Sequence, residues 1–374
     1  MSDNQAISGD AAFAGASAAP EPKRLNFFER YLSLWVLLCM GVGVALGKVF
    51  PAAIAGLSSW EFREGSQVNL PIAVLIWLMI YPMMLKIDFG SLVGVTKRPK
   101  GLLVTIVVNW LVKPFSMAFF AWLFFQHVFS AWVDPVAARD YTAGLIILAA
   151  APCTAMVFVW SYLTDGDPAY TLVQIAVNDL IMLVAFAPIV MFLCGVANVV
   201  VPSNVLITSV VVFIVIPLVA GWLTRQVLLK ARGREWFEQT FLPKFQPVTV
   251  LALLATLVLI FAFQAENLTT KWFAVLLLAV PILLQVYFNS TLGYLLMRLL
   301  KVPHNVASPG ALIGASNFFE LAVAVAITLF GPSSGAALAC AVGVLVEVPV
   351  MLSVCRICNS SREWYQRGVA AKLS

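Results

Sequence analysis

A glutamate and a cysteine stand inside apolar stretches of the chain, where polar side chains are rare. Glu320 lies in the sequence NFFELA, and Cys153 directly follows Pro152 in the sequence APCTAM. A carboxyl group is costly to bury in an apolar medium, so a glutamate there usually binds a solute or gains and loses a proton. A thiol is a soft ligand, although a lone buried cysteine often serves only as a small packing residue. Glu320 and Cys153 are therefore the first candidates for a functional site.

Other polar residues stand close to these two in the sequence or share their apolar setting. Asn317 precedes Glu320 by one helical turn, so we expect its side chain to face the same cavity. Asn178 and Asp179 follow Gln174, and the spacing of four residues puts Gln174 and Asn178 on one helix face. Side chains on that face either line a pore or brace neighbouring helices.

Two more ionisable residues lie next to prolines. Glu347, two residues before Pro349, either binds or relays a proton or is a structural acid near a helix end. Lys113, just before Pro114, is either a counter-ion for one of the acids or extends its side chain to the membrane interface.

The composition shows which solvent surrounds most of the chain. Of its 374 residues, 61% are hydrophobic and 11% are charged, with a mean hydropathy of +0.95. Soluble domains carry about 25% charged residues, so this chain cannot cover a water-facing surface and must lie in lipid. A helix crosses a bilayer with about 20 apolar residues. By that measure ten segments predict spanning helices: 31–50, 70–87, 101–125, 142–163, 168–193, 204–228, 247–264, 272–299, 306–330 and 334–357.

The lysines and arginines predict how these helices are oriented. With a cytoplasmic N-terminus, 18 of the 23 fall inside, 4 fall outside, and Lys113 lies within the third span. Because basic loops stay in the cytoplasm, both termini are expected there, in a multi-pass protein of the plasma or inner membrane. The chain then divides into four parts: a disordered cytoplasmic tail (1–30), a first five-helix repeat (31–195), a second, inverted five-helix repeat (196–358) and a cytoplasmic C-terminal tail (359–374).

Two of the ten predicted helices are interrupted at matching positions of the two halves. The fourth, at 142–163, contains Pro152, and the ninth, at 306–330, contains Ser316 and Asn317. Unwound backbone at membrane depth must face protein or a water-lined cavity, where free amides and half-helix ends can bind a polar solute. The simpler alternative is a proline kink with small packing residues. Two matching interruptions favour a site, in an all-α membrane fold whose helices 4 and 9 cross.

Several other chemistries find little support in the sequence. It has no G-x-x-x-x-G-K-[ST] or G-x-G-x-x-G phosphate cradle, so energy comes from an ion gradient, a partner ATPase or neither. His127 and His304 are too far apart in the predicted topology for a metal site, and Cys355 and Cys358 form a C-x-x-C motif without the context of a redox centre. We expect no cofactor, no enzymatic activity and no nucleic-acid partner.

At these residues the chain resembles the arsenical-resistance permeases of the bile acid/arsenite/riboflavin transporter superfamily. The resemblance covers nearly everything after residue 30. Its most specific stretches are IWLMIYPMMLKIDF (76–89), RPKG (98–101), NWLVKPF (109–115), APCTAMVFVWSYLTDGDPAYTLVQIAVNDL (151–180), PVTVLALLATLVLIFAF (247–263) and LIGASNFFELAVAVAITLFG (312–331). Matches this long and this dispersed are more specific than a short motif.

The resemblance implies a secondary active transporter that extrudes arsenite, and often antimonite, in exchange for protons. It aligns the family's functional cysteine with Cys153 and its functional glutamate with Glu320, and Asn178 and Glu347 also match positions that matter in the family. We therefore expect substrate contacts from Cys153, Glu320, Asn317 and Asn178, and proton coupling by Glu320, Asp179 and Glu347. Arsenite, antimonite, protons and the lipid bilayer are the expected partners, and the sequence indicates no oligomeric state.

Chemistry agrees with this expectation, and two alternatives remain open. Arsenite at neutral pH is mainly an uncharged trihydroxide with a soft centre, so one thiol can select it without trapping it. Proton exchange at Glu320 would drive its export by alternating access. A sodium-coupled organic-anion symporter on the same scaffold needs polar oxygens at both crossings, and the fourth span offers little beyond Thr154. A passive channel for neutral solutes has no reason to keep Glu320.

Overall fold

The structure, a computed structural model, describes residues 32–62, 68–86, 99–153 and 156–370. Within these ranges the backbone is helical almost throughout, and extended pairing is confined to two isolated bridges. The predicted N-terminal tail (1–30) and Thr154 lie outside the described residues. The helices are α1 (Leu32–Val49), α2 (Pro51–Ser58), α3 (Leu70–Lys86), α4 (Pro99–Val128), α5 (Pro135–Ala150), α6 (Val157–Leu163), α7 (Pro168–Val196), α8 (Ser203–Arg232), α9 (Arg234–Phe263), α10 (Ala265–Thr270), α11 (Trp272–Leu299), α12 (His304–Ala315), α13 (Phe319–Phe330), α14 (Gly335–Ser360) and α15 (Arg362–Ala370).

The long helices make this a polytopic membrane protein. Among the described residues, six helices are long and apolar enough to cross a membrane: α4, α7, α8, α9, α11 and α14. A seventh span results if α1 and α2, which meet at 103°, count as one bent helix. The other segments predicted to span, at 70–87, 142–163 and 306–330, form the shorter helix α3 and the pairs α5–α6 and α12–α13. The arrangement as ten helices in two inverted repeats stays a prediction.

Capping residues fix where the central helices begin. Asp134 accepts hydrogen bonds from the first amides of α5, Asp167 from the Tyr170 amide in α7, and Ser334 from the Ala337 amide in α14. These caps satisfy amides that have no partner inside their helices. The residues Asp167 and Ser334 thus fix the starts of α7 and α14, directly after the ends of α6 and α13.

A wide turn in α4 sets the position of Lys113. The helix adopts π geometry over Val108–Val112, directly before Lys113 and Pro114. Proline has no amide hydrogen to donate, and a π turn absorbs the interrupted pattern of hydrogen bonds. Another of the π turns, Val211–Val215, precedes a proline in α8 in the same way.

The spanning helices pack in two groups. In the first group α3 packs against α8 and α9, and α1 approaches α9 so closely at Gly43 that an added Cβ would lie 2.5 Å from the Val258 carbonyl oxygen. In the second group, α4, α5, α7 and α11 surround α12, α13 and α14. Gly144 of α5 faces Ala336 of α14, where a Cβ would lie 2.3 Å from the carbonyl oxygen. The broken helices therefore belong to the second group.

The C-terminal helix α15 packs on the ends of α11, α12 and α14. Tyr365 is fully buried there and donates a hydrogen bond to the Val302 carbonyl at 2.8 Å. Burial raises the pKa of the Tyr365 phenol, so the hydroxyl keeps the proton that this bond needs. The Arg298 guanidinium lies 3.6 Å from the centre of the Trp364 ring, a cation–π contact. These contacts tie α15 to the end of α11.

Candidate functional site

The interruptions of the two predicted crossing helices meet at one point. Between α5 and α6, and between α12 and α13, the chain leaves helical geometry, and the two breaks run antiparallel. The Cys153 amide donates to the Ser316 carbonyl at 3.3 Å, and the Phe318 amide donates to the Ala151 carbonyl at 2.8 Å. The breaks thus satisfy each other's main-chain groups inside the apolar bundle, as buried backbone must.

Each break has a local cause in the sequence. Ala151 precedes Pro152, and a residue before proline is restricted to extended backbone; its φ and ψ are −103° and 107°. Ser316 ends α12 with φ −79° and ψ 145°, and polar Asn317 follows it. The sequence predicted both interruptions, and both are present.

Glu347 of α14 holds the break between α12 and α13. Its carboxylate accepts hydrogen bonds from the Ser316 hydroxyl at 2.5 Å, from the Asn317 amide at 2.8 Å and from the Asn317 side-chain nitrogen at 3.2 Å. These three bonds fix the carboxylate against the break. Sequence reasoning missed the part played by Ser316, although its place beside Asn317 in the interrupted segment was a signal.

Lys113 of α4 points into the same break. Its ammonium group donates to the Ser316 carbonyl at 2.8 Å, and its side chain is fully buried. The ammonium also interacts electrostatically with the Glu347 carboxylate and, more weakly, with the Cys153 thiol. Lys113 is buried at the break and donates to a main-chain carbonyl, so its side chain does not reach the interface; the counter-ion role stays a prediction.

Glu320 lies in the first turn of α13 and is buried without a partner. Its relative exposure is 0%, and neither carboxyl oxygen has a hydrogen-bond partner among the described residues. The Asn317 side-chain oxygen is also buried and has no hydrogen-bond partner among the described residues. Unpaired buried polar oxygens are costly, so they call for a proton or a ligand.

Cys153 lies in extended backbone at the crossing. Its thiol is near the Ser316 hydroxyl and within electrostatic range of the Glu347 and Glu320 carboxyl groups. The structure therefore brings four predicted residues to one point: Cys153, Asn317, Glu320 and Glu347.

Asn178 and Asp179 lie on α7, beside the crossing helices. The Asn178 side-chain oxygen accepts from Asn109 at 3.0 Å and from the Trp110 ring nitrogen at 2.9 Å, both in α4. Its nitrogen donates to the Gln174 carbonyl at 2.7 Å. Asn178 thus joins α7 to α4 at Asn109 and Trp110, about one helical turn before Lys113. Asp179 is buried, and among the described residues its Oδ2 atom has no hydrogen-bond partner.

The crossing is closed to solvent in this conformation. Cys153 is 1% exposed, Asn317 and Glu320 are 0% exposed, and Glu347 is 3% exposed. A cavity of about 720 Å³ instead lies between α4, α5 and the end of α7, lined by residues that include His127, Arg139 and Asn198. In the part of the chain that the structure describes, no group of three or more His, Cys, Asp or Glu residues could hold a metal ion. A solute can reach the crossing only if helices move.

Three proteins are similar to this chain along nearly its whole length. The arsenical-resistance protein Acr3 of Alkaliphilus metalliredigens is 57% identical over 345 residues, which cover 92% of this chain and 96% of that protein. An uncharacterised transporter of Synechocystis is 44% identical over 352 residues, covering 92% and 91%. The arsenical-resistance protein Acr3 of Corynebacterium glutamicum is 32% identical over 344 residues, covering 89% of each.

An apolar bundle in which two broken helices cross at buried ionisable groups defines a multi-pass membrane protein of the transporter class. Residues 73–271 match the model of the Sodium Bile acid symporter family. The chain belongs to that family and to its arsenical-resistance group.

Proposed function

We propose that this chain is a secondary transporter that exports arsenite, and also antimonite, from the cytoplasm in exchange for protons. The observation that carries the proposal is the closed crossing, where the Cys153 thiol lies within electrostatic range of a Glu320 carboxyl group that has no hydrogen-bond partner among the described residues. Two of the similar proteins are named for arsenical resistance, which supports the choice of substrate.

The chemistry of arsenite suits these groups. Its neutral trihydroxide carries a soft arsenic centre, which favours a thiol, and hydroxyl groups, which need oxygen or nitrogen partners. Cys153 offers the thiol, and Asn317 and Glu320 offer side-chain oxygens that are otherwise unpaired. One thiol selects the metalloid and still releases it. Asn178, through its bonds to α4, holds the helices that flank the site.

Proton coupling is assigned to the acids near the crossing. Glu320 binds either a proton or the substrate, so that inward proton flow drives the substrate outward. Glu347 already bonds Ser316 and Asn317, and its proposed role is to hold the unwound segment in shape while relaying a proton. Asp179 is the buried acid among the described residues of 31–195, and it is proposed as a relay.

Alternating access is proposed to occur between the two packing groups. Ten membrane crossings, as inverted repeats 31–195 and 196–358 with both ends in the cytoplasm of the plasma or inner membrane, would bring the crossing near the membrane centre. The second group, which holds α5–α6 and α12–α13, would rock against α1, α3, α8 and α9. The closed site is the intermediate that such a cycle requires.

Arsenite uptake into everted membrane vesicles with an acidic interior tests the proposal. Wild-type vesicles should accumulate arsenite, and a protonophore should abolish the accumulation. Glu320→Gln removes the ionisable group at nearly constant shape, so accumulation against a gradient should be lost. Glu238→Gln, at an exposed acid in α9 that pairs with Arg234, is the matched control and should transport normally. Uphill accumulation by Glu320→Gln would refute proton coupling at this residue.

The family's name raises sodium coupling as the second candidate. A sodium-coupled organic-anion symporter would lose transport when sodium is replaced by choline, whereas a proton-driven exporter would not. The buried Lys113 ammonium in the break favours the proton-driven alternative, since it already supplies a positive charge there.

A further inference from the structure

The Ser316 carbonyl is an unusual acceptor. It follows the last residue of α12 in extended backbone, so no helical amide of α12 bonds it. It receives the Cys153 amide at 3.3 Å and the Lys113 ammonium at 2.8 Å. In broken membrane helices, carbonyls at half-helix ends, together with nearby carboxylates, are the usual ligands of a coupling ion such as sodium.

The groups near the Lys113 ammonium offer oxygen atoms that can act as cation ligands. The Ser316 carbonyl faces it from the break, and the Glu347 carboxylate interacts with it from α14. The Asn317 side-chain oxygen, buried and unpaired, belongs to the residue that bonds the same carboxylate. Carbonyl, carboxylate and amide oxygens are the ligands that hard monovalent cations prefer.

A positive charge at this place stabilises an ionised Glu347 carboxylate. The Lys113 ammonium bonds the carbonyl of Ser316 and the Glu347 carboxylate bonds its hydroxyl, so the buried ammonium lies close enough to compensate the negative charge of the carboxylate. Without that compensation the carboxylate would be a lone charge in the apolar bundle, which is strongly unfavourable. Because the ammonium is tethered to α4, it cannot cross the membrane with the substrate, unlike a free ion.

We propose that the Lys113 ammonium occupies the place of a monovalent cation at the break, bonded to the Ser316 carbonyl and near the Glu347 carboxylate that bonds the same residue. The ammonium thereby excludes sodium from the crossing. The exchange cycle then runs without sodium, a consequence that rests on the proposed function. Removal of the ammonium leaves the oxygen donors in place and turns the crossing into a sodium site.

Thermal unfolding of the purified full-length protein in detergent tests this inference without arsenite. Wild type and Lys113→Ala are each measured in sodium chloride and in choline chloride, at about 0.15 M, a physiological ionic strength. A ligand that binds only the folded state raises the unfolding temperature. Lys113→Ala should unfold at least about 3 °C higher in sodium than in choline, and wild type should show no difference.

Three controls isolate the site. Lys113→Arg keeps the positive charge and should show no sodium effect, and Lys271→Ala removes an exposed lysine and should behave as wild type. The double variant Lys113→Met with Glu347→Gln has neither charge and should also ignore sodium. Equal unfolding temperatures for Lys113→Ala in both salts, or a sodium effect of the same size in the double variant, would overturn the proposal.

Poor folding of Lys113→Ala would also decide the matter. Recovery of this variant only from sodium buffers supports the proposal, because sodium then replaces the missing charge. If Lys113→Ala cannot be recovered in either salt while the double variant can, the proposal is refuted. Loss of both variants also refutes the proposal, because charge compensation would then not explain the need for Lys113. Failure of arsenite transport in vesicles would leave these results unchanged, so the two proposals can fail separately.

Discussion

Cys153 differs from the other cysteines by backbone geometry and not by burial. All six cysteines are free and buried, but Cys39, Cys194, Cys340, Cys355 and Cys358 lie within helices. Cys153 lies in the extended break, where its amide bonds the Ser316 carbonyl and its thiol is close to two carboxyl groups. A thiol in unwound backbone can meet a solute once the helices move, whereas a helical thiol packed among apolar side chains cannot.

Replacement of Cys153 should therefore separate substrate binding from folding. Cys153→Ala should lower arsenite uptake into vesicles at least about tenfold, the effect of losing roughly 1.4 kcal/mol of binding. Cys194→Ala removes an equally buried thiol from α7 and should leave uptake within a factor of about two, which is about 0.4 kcal/mol. Unfolding temperatures of both variants give the control for stability. Equal uptake by the two variants would reduce Cys153 to a packing residue.

At the scale of helices, the sequence predicted those features of the site that depend on neighbouring residues. The helix break at Pro152 and the break at Ser316 and Asn317 follow from residues that disfavour helix or offer polar side chains, and both are present. The partners of Lys113 could not be predicted, because Ser316 lies 203 positions away in sequence. Only packing brings them together. The π turn that sets the direction of Lys113 was also unforeseen, since a proline alone does not specify how a helix adjusts.

The packing of α5 on α14 leads to a prediction about a single methyl group. In Gly144→Ala the new Cβ would lie 2.3 Å from the Ala336 carbonyl oxygen, so the two helices must separate. We expect the unfolding temperature in detergent to fall by several degrees, for a cost of about 1–3 kcal/mol typical of overpacked cores. Gly41→Ala is the matched control, since no atom lies within 4 Å of its added Cβ. Equal unfolding temperatures for the two variants would contradict the close approach.

For the whole molecule, the charge of the loops predicts an orientation that labelling can measure. Thr270 ends α10 in a loop predicted to lie outside, and Gln366 lies in the C-terminal helix predicted to lie inside. Both are exposed, and all native cysteines are buried. In intact cells a membrane-impermeant maleimide should label Thr270→Cys, and Gln366→Cys should react only after permeabilisation. The reverse pattern would show that the chain is inserted with its termini outside.

The backbone bridge between the two breaks has a consequence for how such proteins diversify. The bonds from Cys153 to Ser316 and from Phe318 to Ala151 join main-chain atoms only, so they form whichever side chains these positions carry. Mutation can thus exchange the groups that line the crossing while the inherited scaffold stays intact. A bundle of this kind acquires a new cargo by a few substitutions, which would explain why a chain that matches the model of the Sodium Bile acid symporter family is also 57% identical to a protein named for arsenical resistance.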